Sequence, residues 1–178
     1  GLCAAECPAA GIALSRFATN GMKDTLRAIL SKSDTAKIAR PLVVSYCCLN
    51  ETTSRKFLSE QTEEEIRQSG ILRVMIPCVA SLSTLDLVSP IELGADKVAV
   101  IACAEDGCFY TGAEELLTRR IKRVQKFLDE IGVGQQNVQL FKTDGSAEEC
   151  WPGIWEQFRS TPAKTLATDE LIQEGASR

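Results

Sequence analysis

The chain has 178 residues, 44% hydrophobic and 25% charged, with a formal net charge of −4 and no histidine. That size and balance suit one compact soluble domain with an appendage, and the acidic charge argues against a nucleic-acid groove. The missing histidine removes Ser-His and Cys-His nucleophile pairs, the commonest catalytic zinc sites, His-ligated haem and Rieske-type clusters, so no bond-making active site is expected.

The chain opens "GLCAAECPAAGIAL". Cys3-x3-Cys7-Pro8 matches the trailing half of the ferredoxin run C-x2-C-x2-C-x3-C-P, whose first two cysteines would precede Gly1. Residues 1–14 are therefore expected to be the end of a ferredoxin-type domain. In two-cluster ferredoxins the fourth cysteine serves the other cluster, which would assign Cys3 and Cys7 to different clusters. The stretch has neither the basic nor the apolar region of a signal peptide, and a cytoplasmic location is expected. No apolar run approaches the ~20 residues of a spanning helix, so direct membrane insertion is not expected.

Residues 15–40 hold an amphipathic helix around 22–30 and then a polar stretch, which reads as a helical linker. From Pro41 the pattern becomes strand–helix alternation, the mark of an α/β fold with a mainly parallel sheet. "PLVVSYCC" (41–48) suits a strand buried on both faces. A helix is expected over 53–69, stopped by Gly70. The second strand is "ILRVMIPC" (71–78). A helical crossover follows over 82–96, which Pro90 should break or restart. "KVAVIAC" (97–103) is the third strand. The clearest helix spans 112–133, with Leu117, Ile121, Val124, Leu128 and Ile131 on one face. A fourth strand (137–143), a Pro-interrupted helix (146–160) and a polar tail (161–178) complete the chain.

The chain carries eight cysteines. Without an export signal, metal or redox chemistry is a better account of them than a disulfide framework. Cys47 and Cys48 end the first expected strand, Cys78 the second and Cys103 the third, with Cys108 in the loop beyond. In an open parallel sheet those ends share one edge, where ligands bind. With a flavodoxin-like order 2-1-3-4, four thiolates from three strand ends converge at the switch between strands one and three. Four thiolates suit an iron–sulfur cluster or a structural zinc. Zinc usually takes C-x2-C knuckles, which are absent, whereas Cys103 and Cys108 have C-x4-C spacing, and Gly107 eases backbone crowding there. Adjacent strand residues point to opposite faces, so only one of Cys47 and Cys48 can face the site.

Residues 42–159 resemble the delta subunit of methyl-viologen-reducing hydrogenase. The resemblance rests on "VVSYCC", "ILRVMIPC" and above all "ELGADKVAVIACAEDGCFYTGAEELLTRRIKRVQKFLDEIGV". It implies a 2Fe–2S cluster on Cys48, Cys78, Cys103 and Cys108, while the ferredoxin motif implies a 4Fe–4S cluster held partly by Cys3 and Cys7. The family's C-x-W-C after the first strand reads Cys48-Leu49-Asn50-Glu51 here, and its Cys-Ser-Gly-Arg after the second reads Cys78-Val79-Ala80-Ser81. The four remaining cysteines suffice unless the lost one is a ligand, in which case Cys47 or Glu51 substitutes or the site is degenerate.

Relatives carry this domain behind ferredoxin domains, at the end of a protein like the flavoprotein component of heterodisulfide reductase or of a quinone-interacting membrane-bound oxidoreductase. That context implies 4Fe–4S clusters shared with residues preceding Gly1, and FAD only in an upstream part. The implied role is electron relay to partners resembling hydrogenase, formate dehydrogenase or heterodisulfide reductase. Two other classes stay open: a thiol–disulfide protein, and a structural docking module with a zinc-filled or vestigial site. The basic stripe Arg119, Lys122, Arg123 and Lys126 reads either as a solvated helix face or as a patch that steers an acidic redox partner.

Overall fold

A computed structural model describes residues 2–7, 9, 11–12, 19–32, 40–49, 68, 70–103, 108, 110–142, 156, 158 and 160. The helix expected over 53–69 (Gln68 apart), Asn50 and Glu51, the loop residues 104–107, Cys150 and the tail lie outside them. Four strands form one parallel sheet: β1 (Val43–Cys48), β2 (Ile71–Ile76), β3 (Lys97–Ala102) and β4 (Val138–Lys142). Their spatial order is β2-β1-β3-β4, the flavodoxin-like order expected. The register pairs Cys48 with Ile76 and Cys47 with Ile101, which aligns the strand ends along one edge.

The helices are α1 (Leu2–Glu6), α2 (Thr19–Lys32), α3 (Thr84–Glu92) and α4 (Ala113–Glu130). The connections β2–α3–β3 and β3–α4–β4 run the same way along the sheet. Right-handed crossover therefore sends both helices to one face. That face presents Val44, Tyr46, Cys48, Val98, Val100 and Val138. Against it pack Leu26 of α2, Leu87 of α3, and Leu117, Ile121, Val124 and Leu128 of α4. Each such aliphatic side chain, fully buried, stabilises the fold by about 1.5–3 kcal/mol. The other face gathers Val43, Cys47, Ile71, Ala99 and Ile101 around Phe158. There Phe141 meets Phe158 edge to face at 5.4 Å, and the buried Lys97 ammonium donates to the Phe158 carbonyl while lying over its ring.

Two local expectations change. Ile131 is 45% exposed and does not continue the α4 stripe. The chain turns at Gly132 (φ 78°), a conformation that favours glycine, and brings Val133 into the core instead. The Val133 and Gly134 amides both donate to the Leu128 carbonyl, closing the helix end.

Pro90 neither breaks nor restarts the crossover helix but lies inside α3. A capping box starts that helix: Ser83 Oγ accepts from the Asp86 amide, and the Asp86 carboxylate accepts from the Ser83 amide. Proline has no N–H to give the carbonyl four residues back, which is that of Asp86. The hydroxyl of the fully buried Tyr46 donates to that carbonyl at 2.8 Å. A side chain of the central strand thus supplies the donor that Pro90 lacks. Tyr46→Phe should lower stability by about 1–3 kcal/mol, read as a lower urea midpoint at unchanged slope. A wild-type midpoint would mean that the Tyr46 hydroxyl does not support α3.

Candidate metal centre

Period-2 alternation along β1 divides its last two residues. Cys48 shares a face with Val44 and Tyr46, whereas Cys47 belongs to the opposite cluster with Phe158. Pro77 follows the last residue of β2, and Cys78 then leads into a tight 3-10 turn, Val79–Ser81. The Ser81 hydroxyl donates to the Cys78 carbonyl at 2.7 Å and fastens that turn. Cys103 comes directly after β3. Beyond Cys108, Gly112 in a left-handed conformation (φ 78°) turns the chain into α4.

These elements bring Cys48, Cys78, Cys103 and Cys108 together in the lining of one small, partly open pocket. Val79, Ala80, Ala102, Ala113 and Leu117 supply its apolar wall, with Glu114 at the edge. The pocket sits where the strand order reverses, between β1 and β3. Cys48 is 2% exposed, Cys103 is 9% exposed, and Cys78 and Cys108 are half-buried.

The four sulfurs interact strongly. Hydrogen bonding with Cys48 is the main influence holding the Cys78 thiol well above the usual range; burial and the charges of Cys48 and Cys108 add to it. A hydrogen bond from the Ala80 backbone opposes the shift. Cys103 is raised in the same way, first by hydrogen bonding with Cys48, then by burial and by repulsion from Cys48, Cys108 and Cys78. Cys48 also donates to the Pro77 carbonyl, and Cys108 to that of Tyr110, each at 3.5 Å. Ionising all four thiols in this corner requires a compensating positive charge.

The donor set suits a thiolate-bound centre. As placed, however, no group of three or more His, Cys, Asp or Glu among the described residues closes round a point tightly enough for a metal ion.

Cys47 lies apart from this group. Its thiol is buried on the other face, 3.5 Å from Ser45 Oγ; burial raises its pKa, which Ser45 and Arg73 partly offset. Cys3 is exposed and Cys7 half-buried in and just beyond α1. They are not in the pocket lining, but α1 packs against the 79–81 turn that forms one of its walls. On the exposed side of α4, Arg119 pairs with Glu115 at 3.0 Å and Lys126 approaches Glu130 at 3.8 Å, so the stripe is partly neutralised along the helix. Among the described residues no helix is long and apolar enough to cross a membrane.

Arg120 does not stand out in the sequence as a functional residue, yet it is the buried arginine of α4. Its spacing carries a signal. It stands three residues after Leu117 and four before Val124, on the apolar stripe, where an arginine needs buried partners.

Residues 43–164 match the model of the family described as methyl-viologen-reducing hydrogenase, delta subunit. The chain is similar to the D-type iron-sulfur subunit of the F420-non-reducing hydrogenase vhu of Methanococcus voltae, 22% identical over 109 residues, 61% of this chain and 81% of that protein. It is 29% identical over 91 residues to the D-type iron-sulfur subunit of the F420-non-reducing hydrogenase of Archaeoglobus profundus, covering 51% of this chain and 66% of that protein. The corresponding vhu protein of Methanococcus maripaludis is 20% identical over 109 residues, with 61% and 81% covered. The matched span takes in all four strands and all four pocket cysteines, and the chain belongs to the methyl-viologen-reducing hydrogenase delta-subunit family.

Proposed function

We propose that the chain is an electron-transfer component, with Cys48, Cys78, Cys103 and Cys108 holding a 2Fe–2S cluster at the sheet's switch point. The observation that carries this reading is the gathering of four cysteines from three strand ends at one pocket. A bound cluster would supply a one-electron couple and the positive charge that four thiolates need. The protein's share is to fix the four sulfurs, to keep water away with Val79, Ala80, Ala102 and Leu117, and to direct the Ala80 amide at the Cys78 sulfur. The absence of C-x2-C knuckles and the C-x4-C spacing of Cys103 and Cys108 support a cluster over a single tetrahedral ion. Cys47, on the other face, takes no part.

Similarity to iron-sulfur subunits of hydrogenases supports a place in a redox complex. The partners would be hydrogenase-, formate dehydrogenase- or heterodisulfide reductase-like proteins in the cytoplasm. Cys3 and Cys7 would each contribute a ligand to 4Fe–4S centres completed by further cysteines.

Two measurements test this account. Anaerobically purified chain, reduced and examined by EPR, should show a 2Fe–2S signal that Cys103→Ser abolishes and Cys47→Ser leaves intact. Zinc without iron, or a signal that survives Cys103→Ser, would contradict the ligand set. In the metal-free chain the raised Cys78 and Cys103 stay protonated above pH ~8.5, where an unfolded chain has begun to lose its thiol protons. The folded state then binds more protons than the unfolded one. Stability should be level below about pH 8 and fall as pH rises beyond it. Urea unfolding from pH 6 to 10 checks the sign, and stability that rose above pH ~8 would refute the protonated arrangement.

A further inference from the structure

Arg120 is 4% exposed and reaches three partners that lie far from it in sequence. Its Nη1 donates to the carbonyls of Ala80 at 3.0 Å and Leu82 at 2.5 Å. Its Nη2 donates to the carboxylate of Glu6, an ion pair in which the guanidinium is buried and the carboxylate half-exposed. The two carbonyls belong to the middle and the C-terminal cap of the turn that follows Cys78 and walls the pocket, and the Ala80 amide bonds the Cys78 sulfur. Glu6 belongs to α1, between Cys3 and Cys7. One side chain of α4 therefore touches both the backbone beside the four-thiol pocket and the segment carrying the other two cysteines.

We propose that Arg120 is a positioning residue that clamps the Cys3–Cys7 segment against the Cys78 turn, holding the two cysteine sites as one unit. The chemistry fits the task. A planar guanidinium offers donors in a fixed fork, so it can serve two carbonyls from one nitrogen and a carboxylate from the other. Lysine, a single point of charge, cannot span the three. A buried cation with an acidic partner is also costly to disrupt from one side only, which makes the contact selective for a segment bearing a carboxylate at position 6. The clamp concerns this chain's own residues and exists without metal. Its functional meaning, a fixed separation between two redox centres, rests on the electron-transfer reading above.

Amide exchange and thiol alkylation of the metal-free full chain, both followed by mass spectrometry, test it. Glu6→Gln, a change at a half-exposed side chain, should speed exchange over 2–7 about tenfold and raise Cys7 alkylation towards the rate of exposed Cys3. Residues 79–82 should stay protected. Arg120→Met should release both segments, and Arg120→Lys should fail to restore residues 79–82. In the iron-loaded chain, Arg120→Met should shift the reduction potential of the α/β-domain centre, because the Ala80 amide moves, whereas Glu6→Gln should not. Exchange over 2–7 unchanged in Glu6→Gln would overturn the clamp, as would equal Cys3 and Cys7 alkylation in the wild type. Protection as proposed in a chain that binds no iron would keep the clamp and remove the electron-transfer reading.

Discussion

Four thiols in one partly desolvated corner repel one another as soon as they ionise, and the rest of this molecule is arranged around that constraint. Cys48 is central, because its hydrogen bonding is the main influence that raises both Cys78 and Cys103. Without a cation Cys78 and Cys103 stay protonated; with one, the same repulsion becomes binding capacity. A site of this kind needs a scaffold that fixes the sulfurs before any ion arrives. An open parallel sheet provides that by bringing strand ends to a common edge.

Each sulfur is placed by a different local device. Cys48 is aimed by strand alternation, on the face it shares with Tyr46, whose hydroxyl supports α3 at Pro90. Cys78 is aimed by Pro77 and by a turn that Ser81 fastens from within and Arg120 from outside. Cys103 leaves the end of β3, and Cys108 precedes the left-handed turn at Gly112. The apolar stripe of α4 anchors the pocket wall through Leu117. Loss of packing there would reach the sulfurs through that wall.

Much of this is legible in the residues. The β-branched runs before Cys48, Cys78 and Cys103 mark the strands, and with the flavodoxin-like order β2-β1-β3-β4 their end cysteines fall at one switch point. Alternation alone separates Cys47 from Cys48, because side-chain direction along a strand has a strict period. Arg120 is harder to read, since charge on a helix is ordinarily surface charge and its partners lie 38 to 114 residues away. The exposure of Ile131 is hidden because helical periodicity does not mark where a glycine will end the helix. Pro90 looks like a break, because nothing local shows that a donor from another element supports the carbonyl it leaves.

The central claim is that Cys48, Cys78, Cys103 and Cys108 together hold a binuclear iron–sulfur centre. Reconstitution of the metal-free chain with iron and sulfide, followed by residue-resolved alkylation, tests it most directly. The account predicts two irons and two sulfides at the α/β domain. It also predicts that these four thiols, alkylated in the denatured metal-free chain, are protected in the loaded one until the centre is destroyed by acid. Iron bound while Cys78 or Cys108 alkylates as fast as in the metal-free chain, or no iron bound at all, would contradict it.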